Sequence, residues 1–392
     1  MPTVVVARRG ADRIRAGHPW VYQSDVLRAD AVPGDIVDVE TERRRRLGKA
    51  FWSSTSQIAL RMISPETRGA FDERAWLAAR LEAAVRHRQA LDIDATAFRL
   101  VHGEADRIPG LIVDRYGDET GIWLVIQTLS QGVDRRIALV VELLEALLQP
   151  RGILARNDVK VRRLEGLEER VAILSGTVPD RIVVREGPIR FAVDLGQGQK
   201  TGLFLDQREN HAAAARYARG RALDAFTYGG GFALHLAQRA ETVLAIDSSA
   251  TAVAAARDNA ALNGLTNVEV RETNVFDHLR ELDVSGEVFD LIVLDPPAFA
   301  KNRAALERAV AGYKEINLRA LRLLAPGGHL VTCSCSYHVN EPLLLTILEA
   351  AARDARVTAA LVEKRLQAAD HPVLLNVPET AYLKCLVLRR LE

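Results

Sequence analysis

The sequence predicts an α/β fold, and three observations carry that reading. From about residue 185, short apolar strands alternate with helical stretches, the texture of a parallel sheet covered on both faces. A glycine cluster, Tyr228-Gly229-Gly230-Gly231, follows the first of these strands and leads into a helix. Two later strands end in residues suited to chemistry, Asp295-Pro296-Pro297 and Thr332-Cys333-Ser334-Cys335. Open α/β sheets bind ligands beyond the carboxyl ends of their strands, so all three features belong to one sheet edge.

The elements follow in order. Residues 1–70 read as a small β domain: Val32 to Val39 is a turn followed by alternating apolar residues, and Leu47–Trp52 and Ile58–Ile63 are two further strands. The run Arg43-Arg44-Arg45-Arg46 falls where a hairpin connection would. A helical pattern over 71–92 follows, then strands at Phe98–His102, Leu111–Tyr116 and Ile122–Thr128, a helix over Val133–Leu148 stopped by Pro150, and strands near 152–159 and 169–173. These make a small α+β unit within 71–184. Beyond it, strands are expected at Ala222–Phe226, Val243–Asp247, Val268–Glu272, Phe289–Asp295 and Gly328–Cys333, with helices near 231–239, 249–263, 303–324 and 341–353. Thr380 to Leu391 reads as a last long strand, so the third domain spans 185–392.

Composition narrows the class. A chain of 392 residues with 48% apolar and 26% charged residues can bury its cores without disulfides or metals. Its three cysteines fit a reducing compartment, and no Cys-x-x-Cys pair or His/Cys cluster suggests zinc. No apolar run approaches the roughly 20 residues that cross a bilayer, and the N-terminal apolar run is too short for a secretory signal. A cytoplasmic protein without metal is expected. The net charge of +1 leaves nucleic acid open, because a local patch suffices. Residues 1–70 hold 12 Lys/Arg against 8 Asp/Glu.

The first of the C-terminal strands opens a nucleotide-type site. Glycines let a ligand approach the backbone, and the helix start offers free N–H groups. Asp247 ends the next strand, 23 residues after Asp224, where a carboxylate accepts hydrogen bonds from ribose hydroxyls. The order Asp224-Ala225-Phe226-Thr227-Tyr228-Gly229-Gly230-Gly231 is not the dehydrogenase fingerprint. It is closer to S-adenosylmethionine methyltransferases. Asp295-Pro296-Pro297 points the same way, since proline after a strand end fixes a stiff turn that can offer carboxylate and carbonyls to a base edge.

At this point the chain resembles a family, the RlmI-type cytosine carbon-5 methyltransferases of large-subunit ribosomal RNA. Gly17-His18-Pro19-Trp20-Val21-Tyr22 and Pro33-Gly34-Asp35 are similar to its RNA-binding PUA domain. Gly103 to Tyr116 is similar to its linking domain, and Gly198 to Arg208 to the signature before its first catalytic-domain strand. The resemblance implies a Rossmann-like class I methyltransferase domain preceded by a small β-rich PUA-like domain and an α+β linking domain. It implies S-adenosylmethionine held by Asp224, Phe226, Gly229, Gly231, Asp247 and Asn274, with Asp206 and Arg208 lining the same cleft. The family more often has Asp at the position of Asn274. Ribosomal RNA is the implied partner and a homodimer the implied assembly. Lys200, Lys301, Phe299 and Arg43 to Arg46 are the expected RNA contacts.

The residues also imply a mechanism. Carbon 5 of cytosine is a poor nucleophile until a thiolate adds to carbon 6. Alternation puts Cys333 and Cys335 on one face of their strand, and alignment from Leu330-Val331 with the relatives' Thr-Cys strand end favours Cys335 as the nucleophile. Asp295 would hold the base. Relatives place a second cysteine at the position of Ala298, so proton removal from carbon 5 falls to Cys333, Asp206 or water. The target base must be flipped out of its stack. Two other readings compete: an RNA methyltransferase acting on another base atom, such as a guanine amino group, and a non-catalytic RNA-binding ribosome-assembly protein.

Overall fold

The computed structural model describes residues 1–65, 70–196, 201–299 and 303–392. It divides into two compact units. The first comprises residues 1–185, 193–205 and 369–380, and the second 186–192, 206–368 and 381–392.

The first unit contains two sheets. In the six-stranded sheet the strand order is Trp20–Tyr22, Ile58–Ser64, Arg46–Trp52, Ile36–Thr41, Thr3–Val6, Val26–Asp30. Its core is Val4, Val6, Val21, Val37, Val39, Ala50, Trp52 and Leu60. Only three of the six strands are expected from sequence, because strands of three to five residues are too short to show an alternation. The short helix Arg8–Arg15 was likewise invisible, with only Gly10 and Ala11 buried. Arg43 to Arg46 lie exposed at the tip of the hairpin between Ile36–Thr41 and Arg46–Trp52, with Arg44 at φ 55°. The second sheet has five strands between Phe98 and Gly176. It is covered by the helix Glu73–Ala90, which buries Leu77, Leu81, Ala84, Val85 and Arg88 on one face. Asp72 caps that helix by accepting from the Ala75 amide at 2.9 Å.

The second unit is the expected α/β domain. Its strands are β1 (Arg221–Ala225), β2 (Thr242–Asp247), β3 (Val268–Glu272), β4 (Phe289–Leu294), β5 (Leu324–Ser334), β6 (Ala359–Arg365) and β7 (Lys384–Arg390). Its main helices are α1 (Arg208–Ala215), α2 (Gly231–Leu236), α3 (Ala250–Leu262), α4 (Val275–Ser285), α5 (Leu306–Leu323) and α6 (Glu341–Ala355). The strand order is β3-β2-β1-β4-β5-β7-β6. Both faces are dry, as the near-continuous apolar strands require. Leu223, Ala225, Ile292, Leu294 and Leu330 face Leu279, Tyr313, Ile316 and Leu344, while Ala222, Ala245, Val293 and Val331 face Phe232, Ala233, Val253 and Ala256.

Only part of this sheet is parallel. β3, β2, β1, β4 and β5 run parallel, whereas β7 pairs antiparallel with both β5 and β6. The strand expected from Thr380 begins at Lys384. Among the described residues no helix is long and apolar enough to cross a membrane.

Candidate active site

The carboxyl ends of β1 to β5 gather the residues that the sequence singles out. Asp224 is fully buried in β1. Its Oδ2 accepts from Thr227 Oγ1 at 2.6 Å and from the Ala233 amide at 2.9 Å. Ala233 is in the first turn of α2, so Asp224 caps a helix whose own N-cap is Gly230 at φ 88° and has no side chain to do it. The other oxygen, Oδ1, is buried without a partner. Burial pushes the Asp224 carboxyl up to about 6, against the pull of its two hydrogen bonds.

The loop after β1 is held in an unusual backbone path. Phe226 and Tyr228 take positive φ, 68° and 49°, a conformation costing non-glycine residues of order 1–3 kcal/mol each. Hydrogen bonds fix it: Phe226 and Thr227 amides donate to the Ile246 carbonyl at 3.0 and 3.1 Å, and the Tyr228 amide to Asp247 Oδ2 at 3.0 Å. Asn259 Nδ2 braces the Gly229 carbonyl from α3 at 3.0 Å. The two predicted glycines differ in kind. A Cβ at Gly229 would meet nothing closer than Asn259 Nδ2 at 3.8 Å, whereas one at Gly231 would come within 2.7 Å of the His211 ring. Gly229 therefore borders open space, and Gly231 makes room for an imidazole.

That imidazole belongs to a buried group that sequence reasoning missed. His211 Nδ1 donates to Glu186 Oε1 at 2.7 Å, and His235 Nδ1 donates to the Gly231 carbonyl at 2.9 Å. Burial opposes charge on His211, but the Glu186 carboxylate outweighs it and raises its pKa, while Glu186 is lowered. Glu186, His211 and His235 bring potential ligand atoms within 4.8 Å of one another, yet the short Glu186–His211 bond describes an ion pair that already satisfies the charge. No motif spacing announces this group, because it joins three separate elements.

The remaining cofactor candidates stand around the same edge. Asp247 Oδ1 accepts from the Ser249 amide at 2.9 Å, leaving further lone pairs on the carboxylate. Asn274 is exposed and caps α4, its Oδ1 accepting from Phe276 and Asp277 amides at 3.0 and 3.3 Å. Phe226, Phe276, Phe299 and Tyr313 form an aromatic cluster, with Phe299 4.7 Å from Tyr313 and 5.7 Å from Phe276 between ring centroids. Phe299, expected as an RNA contact, is thus half-buried against the cofactor-loop residue Phe226. Asp206 is buried and accepts from the Tyr382 hydroxyl at 2.7 Å, while Arg208, also buried, begins α1. Lys200 and Lys301 lie outside the described residues.

The two cysteines are separated by their surroundings. β5 ends at Ser334, so Cys335 is the first residue beyond it, and it is half-buried. Cys333 is fully buried inside β5, where bonding to Cys385 and burial push its thiol well above the usual range. On the other face Ser334 Oγ donates to the Tyr313 hydroxyl at 3.0 Å, and Ser336 Oγ lies 3.0 Å from the same hydroxyl. Asp295 follows β4, adjacent to β5, and its amide donates to the Ala225 carbonyl at 3.3 Å.

These features fit S-adenosylmethionine. A buried carboxylate oxygen without a partner suits the ligand's ammonium group, open backbone beside Gly229 admits it, Asp247 can take ribose hydroxyls, and the aromatic cluster suits a purine. Residues 160–389 match the S-adenosylmethionine-dependent methyltransferase family, and residues 4–65 match the PUA-like domain. Ribosomal RNA large subunit methyltransferase I of Aeromonas hydrophila is 41% identical over 382 residues, spanning 95% of each chain. The chain belongs to the ribosomal RNA large subunit methyltransferase I family. The member from Tolumonas auensis is 39% identical over 400 aligned residues, covering 99% of this chain and 100% of its own. Like other members of the methyltransferase I family, the protein is an S-adenosylmethionine-dependent methyltransferase with a PUA-like domain. Two solved structures share the fold over 99% of this chain and 100% of theirs at 19% identity. One, a methyltransferase complexed with SAH, has a TM-score of 0.85; the other, from Streptococcus mutans, is described as SAM-dependent and scores 0.83.

Proposed function

We propose that the protein methylates carbon 5 of a cytosine in large-subunit ribosomal RNA, through a covalent bond between Cys335 and carbon 6 of the base. The observation that carries this is the contrast between the two cysteines: Cys335 stands half-buried at the sheet edge shared with Asp295 and the glycine loop, while Cys333 is sealed in the strand.

The Cys335 thiolate adds to carbon 6, and the carbon 5–carbon 6 double-bond electrons make carbon 5 nucleophilic. S-adenosylmethionine would supply the methyl group that carbon 5 takes, its sulfur keeping the electron pair of the broken sulfur–carbon bond and leaving as the neutral thioether. A base removes the carbon 5 proton, the electron pair re-forms the double bond, and the thiolate leaves. Asp295, carrying a proton, donates to ring nitrogen 3 and makes carbon 6 more electrophilic. Asp224, Phe226, Gly229, Gly231, Asp247 and Asn274 hold the cofactor, with Asp206 and Arg208 bordering it.

In this reading residues 1–70 are the RNA-binding domain, 71–184 link it, and 185–392 carry the chemistry. Arg43 to Arg46, exposed at their hairpin tip, contact phosphates along with Lys200 and Lys301. Three cysteines with no repeated spacing suit a cytoplasmic setting, and the family resemblance suggests a homodimer.

The test is transfer of labelled methyl groups to ribosomal RNA followed by nucleoside mass spectrometry. 5-Methylcytidine that disappears in Cys335→Ala supports the reading. A methylated guanosine, or full activity in Cys335→Ala, overturns it.

A further inference from the structure

A lysine opens the apolar run that forms β7. Lys384 is buried, with a relative exposure of 6%, between Leu383 and Cys385. A buried ammonium carries a solvation cost of several kcal/mol unless it gains partners. The backbone supplies two: Nζ donates to the carbonyl of Ser336 at 2.9 Å and to that of Tyr382 at 3.0 Å. The first of these belongs to the residue after Cys335, and Lys384 pairs in register with Ser334, the residue before it. The lysine is therefore pinned beside the strand end that presents the nucleophile. Its tether is braced in turn, since the Tyr382 hydroxyl donates to Asp206 Oδ2 at 2.7 Å.

The surrounding titratable groups do not favour a thiolate. Asp295 at the adjacent strand end supplies no positive charge, and the Tyr313 hydroxyl, held by Ser334 and Ser336, is pushed up to about 12 by burial and stays neutral. Cys333 and Cys385 are buried thiols facing each other across the ladder. Lys384 is the cation set against this strand end from β7. Burial lowers its pKa, and the Cys335 thiolate pulls it back up, so the two charges sense each other.

We propose that Lys384 is a positioning residue for the nucleophile: its ammonium, held by the Ser336 and Tyr382 carbonyls, stabilises the thiolate form of Cys335. This rests on the reading of Cys335 as the attacking group. Neither the glycine-loop motif nor the Asp295-Pro296-Pro297 motif includes this lysine, which lies 49 positions beyond the cysteine it serves.

Iodoacetamide alkylation of the Cys335 peptide, followed by mass spectrometry from pH 5 to 10, reports the thiolate fraction without any methyl transfer. The wild-type midpoint is expected below the ordinary thiol value of about 8.5. In Lys384→Met it should rise by about one unit, a roughly tenfold slower reaction at pH 7, while Lys384→Arg keeps the cation and the low midpoint. Equal midpoints in wild type and Lys384→Met overturn the proposal. So does a wild-type midpoint at or above about 8.5, which decides the matter even if Lys384→Met fails to fold. Methylation that survives Cys335→Ala would instead remove the nucleophile assignment and leave the ion pair standing.

Discussion

Cys333 and Cys385 face each other directly across the antiparallel β5–β7 ladder, both buried. This pairing assigns Cys333 to the core: a thiol bonded to a second thiol and removed from water stays protonated. Cys333→Ala should leave 5-methylcytidine formation within about threefold of wild type and cost about 1 kcal/mol of stability from the small cavity. Cys335→Ala should lower it at least about a thousandfold. Single-turnover methylation and urea unfolding of both variants measure the two effects; a dead Cys333→Ala with intact folding would reverse the roles.

The buried Asp224 carboxyl gives the cofactor-free protein a pH signature. Its pKa rises from 3.8 to about 6 on folding. The folded chain therefore keeps a proton that the unfolded chain has lost, so this contribution to stability is full below 3.8 and is lost as pH rises through about 6. Two units correspond to about 3 kcal/mol. Urea unfolding between pH 4 and 7 should show the decline, and Asp224→Asn should flatten it. Cofactor affinity should change in the opposite sense, improving as pH rises through about 6 because the ligand's ammonium group favours the carboxylate. Calorimetry that finds equal pH dependence in Asp224→Asn would remove Asp224 from the binding site.

Glu186 and His211 form the second pH-sensitive pair. His211 is raised above 6.5, so its contribution is present below 6.5 and lost as pH climbs through its folded value. Glu186 is lowered below 4.5, so its contribution is present above 4.5 and lost as pH falls through its folded value. The pair stabilises most between 4.5 and 6.5. His211→Ala strands a buried carboxylate and should cost about 3–5 kcal/mol near pH 6, read from urea midpoints; a loss below about 1 kcal/mol would mean that the charge is not buried in solution.

Two glycine substitutions should separate. Gly229→Ala adds a methyl into open space and should leave folding within about 0.5 kcal/mol while weakening the cofactor roughly tenfold. Gly231→Ala meets the His211 ring, which Glu186 holds in place, and should destabilise the fold by about 1–3 kcal/mol. Thermal unfolding with and without cofactor distinguishes them, and a normal affinity in Gly229→Ala would place the ligand elsewhere.

If the arginine hairpin tip meets phosphates, replacing Arg43, Arg44, Arg45 and Arg46 by alanine should weaken RNA binding uniformly across sequences. The salt dependence should become shallower by roughly 0.7–0.9 per lost contact. Filter binding at several salt concentrations reads this, and an unchanged slope would make the run a solvated turn.

Much of the site is written locally in the chain. Asp224, the glycines, Asp247, Asp295 and Cys335 each mark the end of a strand, so spacing and turn residues expose them. What stayed hidden depends on pairs distant in sequence. His211 explains Gly231 from 20 positions away, Asn259 braces Gly229 from 30, and Lys384 approaches Cys335 only through the antiparallel return of β7. A lone lysine in the apolar run Leu383-Lys384-Cys385-Leu386-Val387-Leu388 was the one visible signal for the last. The Asn274 side chain also acquires a second meaning, because its amide oxygen serves as the cap of α4. The five parallel strands were legible from their apolar runs, whereas direction in β7 is set by a loop path that carries no periodicity.

The central claim is the covalent bond from Cys335 to the base, and an RNA containing 5-fluorocytidine tests it most directly. Fluorine at carbon 5 cannot leave as a proton does, so the adduct should persist in the presence of S-adenosylmethionine. The account predicts a denaturant-stable RNA–protein species whose crosslinked peptide maps to Cys335 and which is absent in Cys335→Ala. An adduct on Cys333, or methylation of cytosine carbon 5 with no adduct at all, would contradict it.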